Sequence, residues 1–276
     1  MSKTVLITGV TGQMGSYFVD YLLKNTSHKI YGMVRRLSVK NHTNIAHIKD
    51  NPRFQLVSGD LNDVHSIEEA IKSVHPDYLI NSAAQSFVAE SWISPANTMV
   101  VDAVSVVHIL ESIRKYCPEC RFFNFGSSEE NGDVIFSPQD ETHPPRSRSP
   151  YGCAKVAARQ IVKVYRESYS LFAVQNWCFN YESKRRGEEF VTRKITKGIA
   201  RIKKALDERK SFEPIYLGNI YAKRDWSHAE DFVDGVWRTL NQDEYNPELW
   251  GRTGSNLVNK LQEYVLSSNE THSVKE

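Results

Sequence analysis

The chain has 276 residues, 40% of them hydrophobic and 25% charged, enough apolar material for a substantial core in one large domain or two small ones. Its 35 basic and 33 acidic side chains leave a net charge of +2, too balanced to call for a nucleic-acid or membrane partner. Four cysteines make no disulfide scaffold, the N-terminus runs into a strand-like segment without a signal peptide's apolar stretch, and no later run reads as a bilayer span, so the expected compartment is the cytoplasm.

In chain order, apolar strand-like runs at 4–8, 30–34, 54–58, 78–81 and 121–125 are interleaved with helical patterns at 14–25, 65–73 and 101–116. This interleaving predicts an α/β fold, a doubly wound parallel sheet. A long amphipathic helix follows at 151–170, behind the loop Pro144-Pro-Arg-Ser-Arg-Ser-Pro150, whose last proline suits a first helical turn. A sixth strand is expected at 172–178. Beyond 179 the texture becomes charged helix and loop, including a basic helix at 192–204. Two interleaved units are expected, a nucleotide-binding domain at 1–178 and a smaller substrate lobe at 179–276. Cys117-Pro-Glu-Cys120 offers two thiols and no second pair, so it reads as a helix-to-strand turn and no metal is expected.

Three clusters carry chemistry. Gly9-Val-Thr-Gly12-Gln-Met-Gly15 lies between the first strand and the first helix, where bare backbone and a helix N-terminus can approach a pyrophosphate. Val34-Arg35-Arg36 ends the second strand with arginine instead of the acid that would hold ribose hydroxyls, which predicts NADP over NAD. Ser127 stands at the carboxyl edge of the 121–125 strand. Tyr151 and Lys155, four apart, share one helix face, and an ammonium beside a phenol with a reference pKa of about 10 favours phenolate. A lone Tyr-x-x-x-Lys is weak in a chain with 13 tyrosines, but its order behind a glycine turn and a strand-end serine is specific. Ser-Tyr-Lys moves a proton and a hydride at an alcohol carbon. Glu129 adds a second acid/base, which separates a dehydratase from a plain dehydrogenase.

Together with Ala83-Ala-Gln-Ser86, Ser149-Pro-Tyr-Gly152, Phe179-Asn-Tyr-Glu-Ser183, Arg185-Arg-Gly-Glu-Glu-Phe-Val-Thr-Arg-Lys194 and Arg224-Asp-Trp-Ser-His-Ala229, these motifs resemble the GDP-mannose 4,6-dehydratases of the extended short-chain dehydrogenase/reductase family, from residue 4 to the end. The resemblance implies conversion of GDP-mannose to GDP-4-dehydro-6-deoxymannose and water, with catalytic Ser127, Glu129, Tyr151 and Lys155. It implies NADP contacts at Gly9, Thr11, Gly12, Gln13, Met14 and Gly15, at Arg35, Arg36, Leu37 and Ser38, at Asp60 and Leu61, at Ser82, Ala83, Ala84, Gln85 and Ser86, and at Lys155, Tyr181 and Arg186. The nucleotide sugar would meet Ser86, Glu129, Asn180, Lys194, Gly218 and Arg224, and the arginine loop after the second strand would join a homodimer or homotetramer. Four departures stand out: Ser127 replaces a threonine, Tyr181 a histidine, Asn97 a tyrosine, and Glu130-Asn131 an apolar-aromatic pair, whose carboxylate is expected to raise the pKa of Glu129 by like charge. The C-terminal lobe is also shorter than the family's. A related nucleotide-sugar oxidoreductase, a GDP-manno-heptose dehydratase and a non-catalytic NADP-binding subunit are the competing readings.

Overall fold

The computed structural model describes residues 2–39 and 41–276. Its main sheet has seven strands in the order β3-β2-β1-β4-β5-β6-β9. These are β1 (Thr4–Thr8), β2 (Lys29–Val34), β3 (Phe54–Ser58), β4 (Tyr78–Asn81), β5 (Arg121–Phe125), β6 (Ala173–Cys178) and β9 (Val265–Leu266), paired in parallel throughout. A second sheet sets β7 (Asn180–Glu182) and β10 (Thr271–Ser273) on either side of β8 (Lys223–His228).

The central strands are apolar on both faces because both are covered. In β1, Val5 and Ile7 face a layer containing Phe18 and Leu22 of α1 (Gln13–Asn25) and Phe232 and Val236 of α8 (Ala229–Leu240), whereas Leu6 faces the opposite layer. That layer holds Ile71 of α2 (Val64–Val74), Ile109 and Ile113 of α5 (Ser105–Tyr116) and Val162 of α6 (Pro150–Tyr169). Period-two alternation along a strand therefore sorts one sequence into two cores.

Two short helices, α3 (Val88–Ile93) and α4 (Pro95–Met99), precede α5, and a π turn at Val100–Val104 joins α4 to it. The run Pro95–Tyr116 thus begins six residues before the expected start at 101, because Pro95 opens a first turn that polar Asn97 and Thr98 disguise. At 22 residues it is long and apolar enough to cross a membrane, contrary to the expectation that no run is, but half of it is buried in the fold. The turn at Cys117–Cys120 is closed by Cys120 N–H donating to the Cys117 carbonyl at 2.8 Å, and among the described residues no cluster of His, Cys, Asp and Glu could hold a metal.

Residues beyond 178 are not one separate body. Helix α8 belongs to the first core and β9 extends the main sheet, two elements the sequence pattern left unassigned. In contrast, α7 (Val191–Asp207) buries none of its side chains.

Candidate active site

A cavity of about 540 Å³ opens at the carboxyl ends of β1, β2, β3, β4 and β5, within the size range of cofactor sites. Gly9 has φ +63°, and a Cβ there would come within 2.8 Å of the Ala83 backbone. A Cβ on Gly15 would meet the Gly9 carbonyl oxygen at 2.5 Å. These contacts bring α1 and the β4 loop against the turn. Gly12, the N-cap of α1, has no side chain to satisfy the helix's first amides, which leaves them for an anion.

Of the residues expected at a dinucleotide, Gly9, Thr11, Gly12, Gln13, Met14, Arg35, Asp60, Leu61, Ser82, Ala83, Ala84, Gln85, Ser86, Lys155, Tyr181 and Arg186 line this cavity. Gly15 does not, because its part is the helix contact just described. Arg36, Leu37 and Ser38 also do not, since the chain turns outward after Arg35 and leaves them exposed. Met33, Gly59, Phe87 and Val101 line it unforeseen, being strand ends or helix starts without a motif, as does Glu189, a turn residue of the 185–194 string for which the resemblance implies no contact. Asn97 is there as well.

Arg186 is held by a loop fastened to α1. Gln13 donates to the Tyr181 carbonyl at 3.0 Å and accepts from Ser183, while Arg185 reaches Ser16 and pairs with Asp20 at 2.6 Å. The Arg186 guanidinium lies 3.4 Å from the Phe190 ring centroid and 3.3 Å from Glu182, yet its buried Nε makes no hydrogen bond. Bare glycine backbone, uncapped amides and an underused guanidinium together suit a dinucleotide diphosphate.

The proton-transfer groups converge from β5, the turn after it and α6. Ser149 caps α6 by accepting the Gly152 N–H at 3.1 Å, and Pro150 fills its first turn, so Tyr151 and Lys155 point toward the β5 edge. Lys155 is buried, donates to the Phe125 carbonyl at 2.9 Å and stands 5.7 Å from the Tyr151 ring centroid. Ser127 accepts the Glu129 N–H at 3.2 Å. Burial drives the Tyr151 phenol well above its ordinary value, the charges of Asp102, Glu130 and Glu129 push it further, and hydrogen bonding to Ser127 opposes them. Burial thus works against the phenolate that Lys155 is expected to favour, and the ammonium donates to the Phe125 carbonyl.

Asp102 escaped the sequence reading. Its carboxylate, in the π turn, accepts the Gln85 N–H at 2.7 Å with one oxygen, while the other is buried without a partner. Burial pushes its pKa up to about 6, against the pull of Lys155. No motif marks an aspartate inside an otherwise apolar helix.

The expected sugar residues are less gathered. Glu129 faces Arg224 across 3.9 Å, both partly exposed, a pairing weak in itself. Ser86 lines the cavity, and Asn180 opens β7 next to Tyr181, but neither Asn180, Glu129 and Arg224 nor the exposed Lys194 and Gly218 line it, and Ser127 also stands outside its lining. Glu130 is buried against Arg159, whose Nε donates to it at 2.5 Å and offsets its charge.

The family model for GDP-mannose 4,6 dehydratase matches residues 6–276. The chain belongs to the GDP-mannose 4,6-dehydratase family. It is 40% identical to the GDP-mannose 4,6 dehydratase of Drosophila melanogaster, over 99% of this chain and 66% of that protein. With the GDP-mannose 4,6-dehydratase of Vibrio cholerae it shares 44% identity over 88% of this chain and 66% of the relative. The chain thus spans about two thirds of the length of these relatives. Among solved structures, the dTDP-glucose 4,6-dehydratase of Bacillus anthracis, in complex with NAD, superposes with a TM-score of 0.77 at 23% identity, covering 99% of this chain and 77% of that one. The UDP-glucose 4-epimerase of Thermotoga maritima, with UDP-glucose, gives 0.74 at 21%, covering 98% and 79%. These likenesses establish the fold.

Proposed function

We propose that this family member dehydrates GDP-mannose to GDP-4-dehydro-6-deoxymannose with NADP as a recycled cofactor. The observation that carries the reading is the placement of Glu129: its backbone N–H is tied to the Ser127 hydroxyl, and its carbonyl lies against Gly152, the residue after Tyr151. One site thereby holds a hydroxyl-carbon acid/base and a separate carboxylate, as an oxidation followed by loss of water requires.

When bound, NADP supplies the redox chemistry, taking hydride from C4 and returning it to C6. Tyr151 accepts the C4 hydroxyl proton, with Ser127 holding the same oxygen. Lys155, buried beneath, supplies positive charge that favours the Tyr151 phenolate, which this transfer consumes. Once C4 is a ketone, the C5 hydrogen is acidic enough for Glu129 to remove. The same carboxyl then protonates the C6 hydroxyl, which leaves as water, and the Tyr151 phenol gives its proton to C5 as C6 regains hydride, which restores the phenolate. Arg224 beside Glu129 suits the sugar diphosphate and Arg35 the cofactor's 2′-phosphate.

Mass analysis of products from GDP-mannose with catalytic NADP tests the reading. It predicts a keto sugar lighter by one water, with no net NADPH formed or used. Stoichiometric NADPH consumption without water loss would instead favour a C4 reductase. For the cofactor, NADP should bind at least about tenfold more tightly than NAD, a margin that Arg35→Ala should erase.

A further inference from the structure

Behind the catalytic turn lies a set of buried polar side chains for which the proton chemistry has no use. The Glu130 carboxylate accepts the Ser127 N–H at 2.8 Å and Gln175 Nε2 at 3.2 Å with one oxygen, and Arg159 Nε at 2.5 Å with the other. Arg159 continues the chain, donating to the Gln175 carbonyl at 2.6 Å and to Glu263 at 3.0 Å. Glu263 in turn accepts the Gln175 N–H at 2.8 Å and Arg166 at 2.9 Å. A Cβ on Gly126 would sit 2.5 Å from the Glu130 oxygen and 2.9 Å from Arg159, so the residue before Ser127 leaves the room this ion pair occupies.

The same network crosses the sheet. Thr8, Asn81, Asn124 and Gln175 stand in register on β1, β4, β5 and β6 and pass hydrogen bonds of 2.5, 2.7 and 2.6 Å from one to the next. At one end Thr8 accepts the Ala83 N–H beside the dinucleotide cavity, and at the other Gln175 donates to the Lys155 carbonyl at 3.0 Å. Buried ion pairs are weak contributors to stability, because desolvation offsets their attraction. They do fix direction, since a carboxylate held by an arginine and an amide leaves a bonded N–H one place to point.

We propose that Glu130 is the positioning residue of the Ser127–Glu129 turn, and that Arg159 and Glu263 extend its hold so that this turn depends on how residues 261–264 are seated. The proposal rests on reading Ser127 and Glu129 as proton-transfer groups. It makes the C-terminal segment, which touches no reacting atom here, part of what aligns the hydroxyl.

The test uses the full chain and the variants Glu130→Gln, Glu263→Gln and Glu263→Asp, each alone and with Ser127→Ala. Turnover of GDP-mannose should fall about tenfold in Glu263→Gln with KM changed less than about twofold, and should largely recover in Glu263→Asp. In the Ser127→Ala background the same substitution should cost clearly less, because one of the two groups it positions, the hydroxyl, is gone and only Glu129 is left to misalign. Equal losses in both backgrounds would overturn the proposal. Amide exchange over residues 126–130 gives a readout independent of turnover: it should quicken in Glu130→Gln and in Glu263→Gln while the 9–15 turn stays unchanged. Unaltered exchange at 126–130 in folded Glu263→Gln would also overturn it. If the parent protein dehydrates no nucleotide sugar, the proposed function fails, while the exchange measurement still decides whether Glu263 governs the turn.

Discussion

The turn between β1 and α1 and the helix α7 show two ways in which one chain uses its residues, the first packed around the cavity mouth and the second open to solvent. In the first, almost nothing can be changed: Gly9 sits against the Ala83 backbone, Gly15 against Gly9, and Met14, Tyr17 and Phe18 are buried behind them. In the second, 17 residues carry Lys194, Lys197 and Arg201 on a helix without a buried side chain, where Ile199 is 57% exposed. A pyrophosphate cradle is steric, so its demands are strict and local. A charged, solvent-facing helix has only to keep its charge in water, which many sequences satisfy.

The comparison can be pressed from its strongest consequence downward. In the cavity that the first region lines, Tyr151→Phe removes the phenolic proton carrier from a packed position and should lower turnover by about 10²–10⁴ while dinucleotide affinity, read by fluorescence titration, moves only a few-fold. Next, Gly15→Ala forces a methyl onto the Gly9 carbonyl and should cost about 3 kcal/mol in urea unfolding, with weakened dinucleotide binding.

Asp102 should show itself through pH. Its pKa in the folded protein is about 6 against an ordinary 3.8, so its favourable contribution is complete below pH 4 and is lost as pH rises through 6. Asp102→Asn retains the acceptor for Gln85 and removes the charge. The variant should be more stable than the parent at pH 8 by up to about 3 kcal/mol, with the difference closing by pH 4. A constant difference across that range would show that the carboxyl does not titrate as placed. The smallest effect belongs to α7, where Ile199→Glu should alter stability by less than about 0.5 kcal/mol.

Much of the first region was legible in the sequence because its constraints repeat at fixed spacing. The expected strands at 4–8, 54–58, 78–81 and 121–125 are found at those bounds, and Ser149-Pro150 announces α6 through its cap. What escaped was non-local. Strand β9 has two residues, too few for any alternation, and exists because Trp177 and Cys178 offer it an edge. Asp102 gains significance only from the burial that α6 and the β4 loop impose. Glu130 was read from its neighbour in sequence, whereas its partner Arg159 comes from 29 residues away. The glycine motif likewise identified the cradle but not how far the arginine loop follows it, since Arg35 lines the cavity and Arg36 turns away.

The central claim is that Glu129, beside Ser127 and Tyr151, performs the elimination of water. Mass analysis of the sugar product formed by Glu129→Gln, set against the parent under catalytic NADP, tests it most directly. The account predicts that the variant still binds NADP and releases at least about a hundredfold less 4-keto-6-deoxy product. Product released at the parent's rate would contradict it.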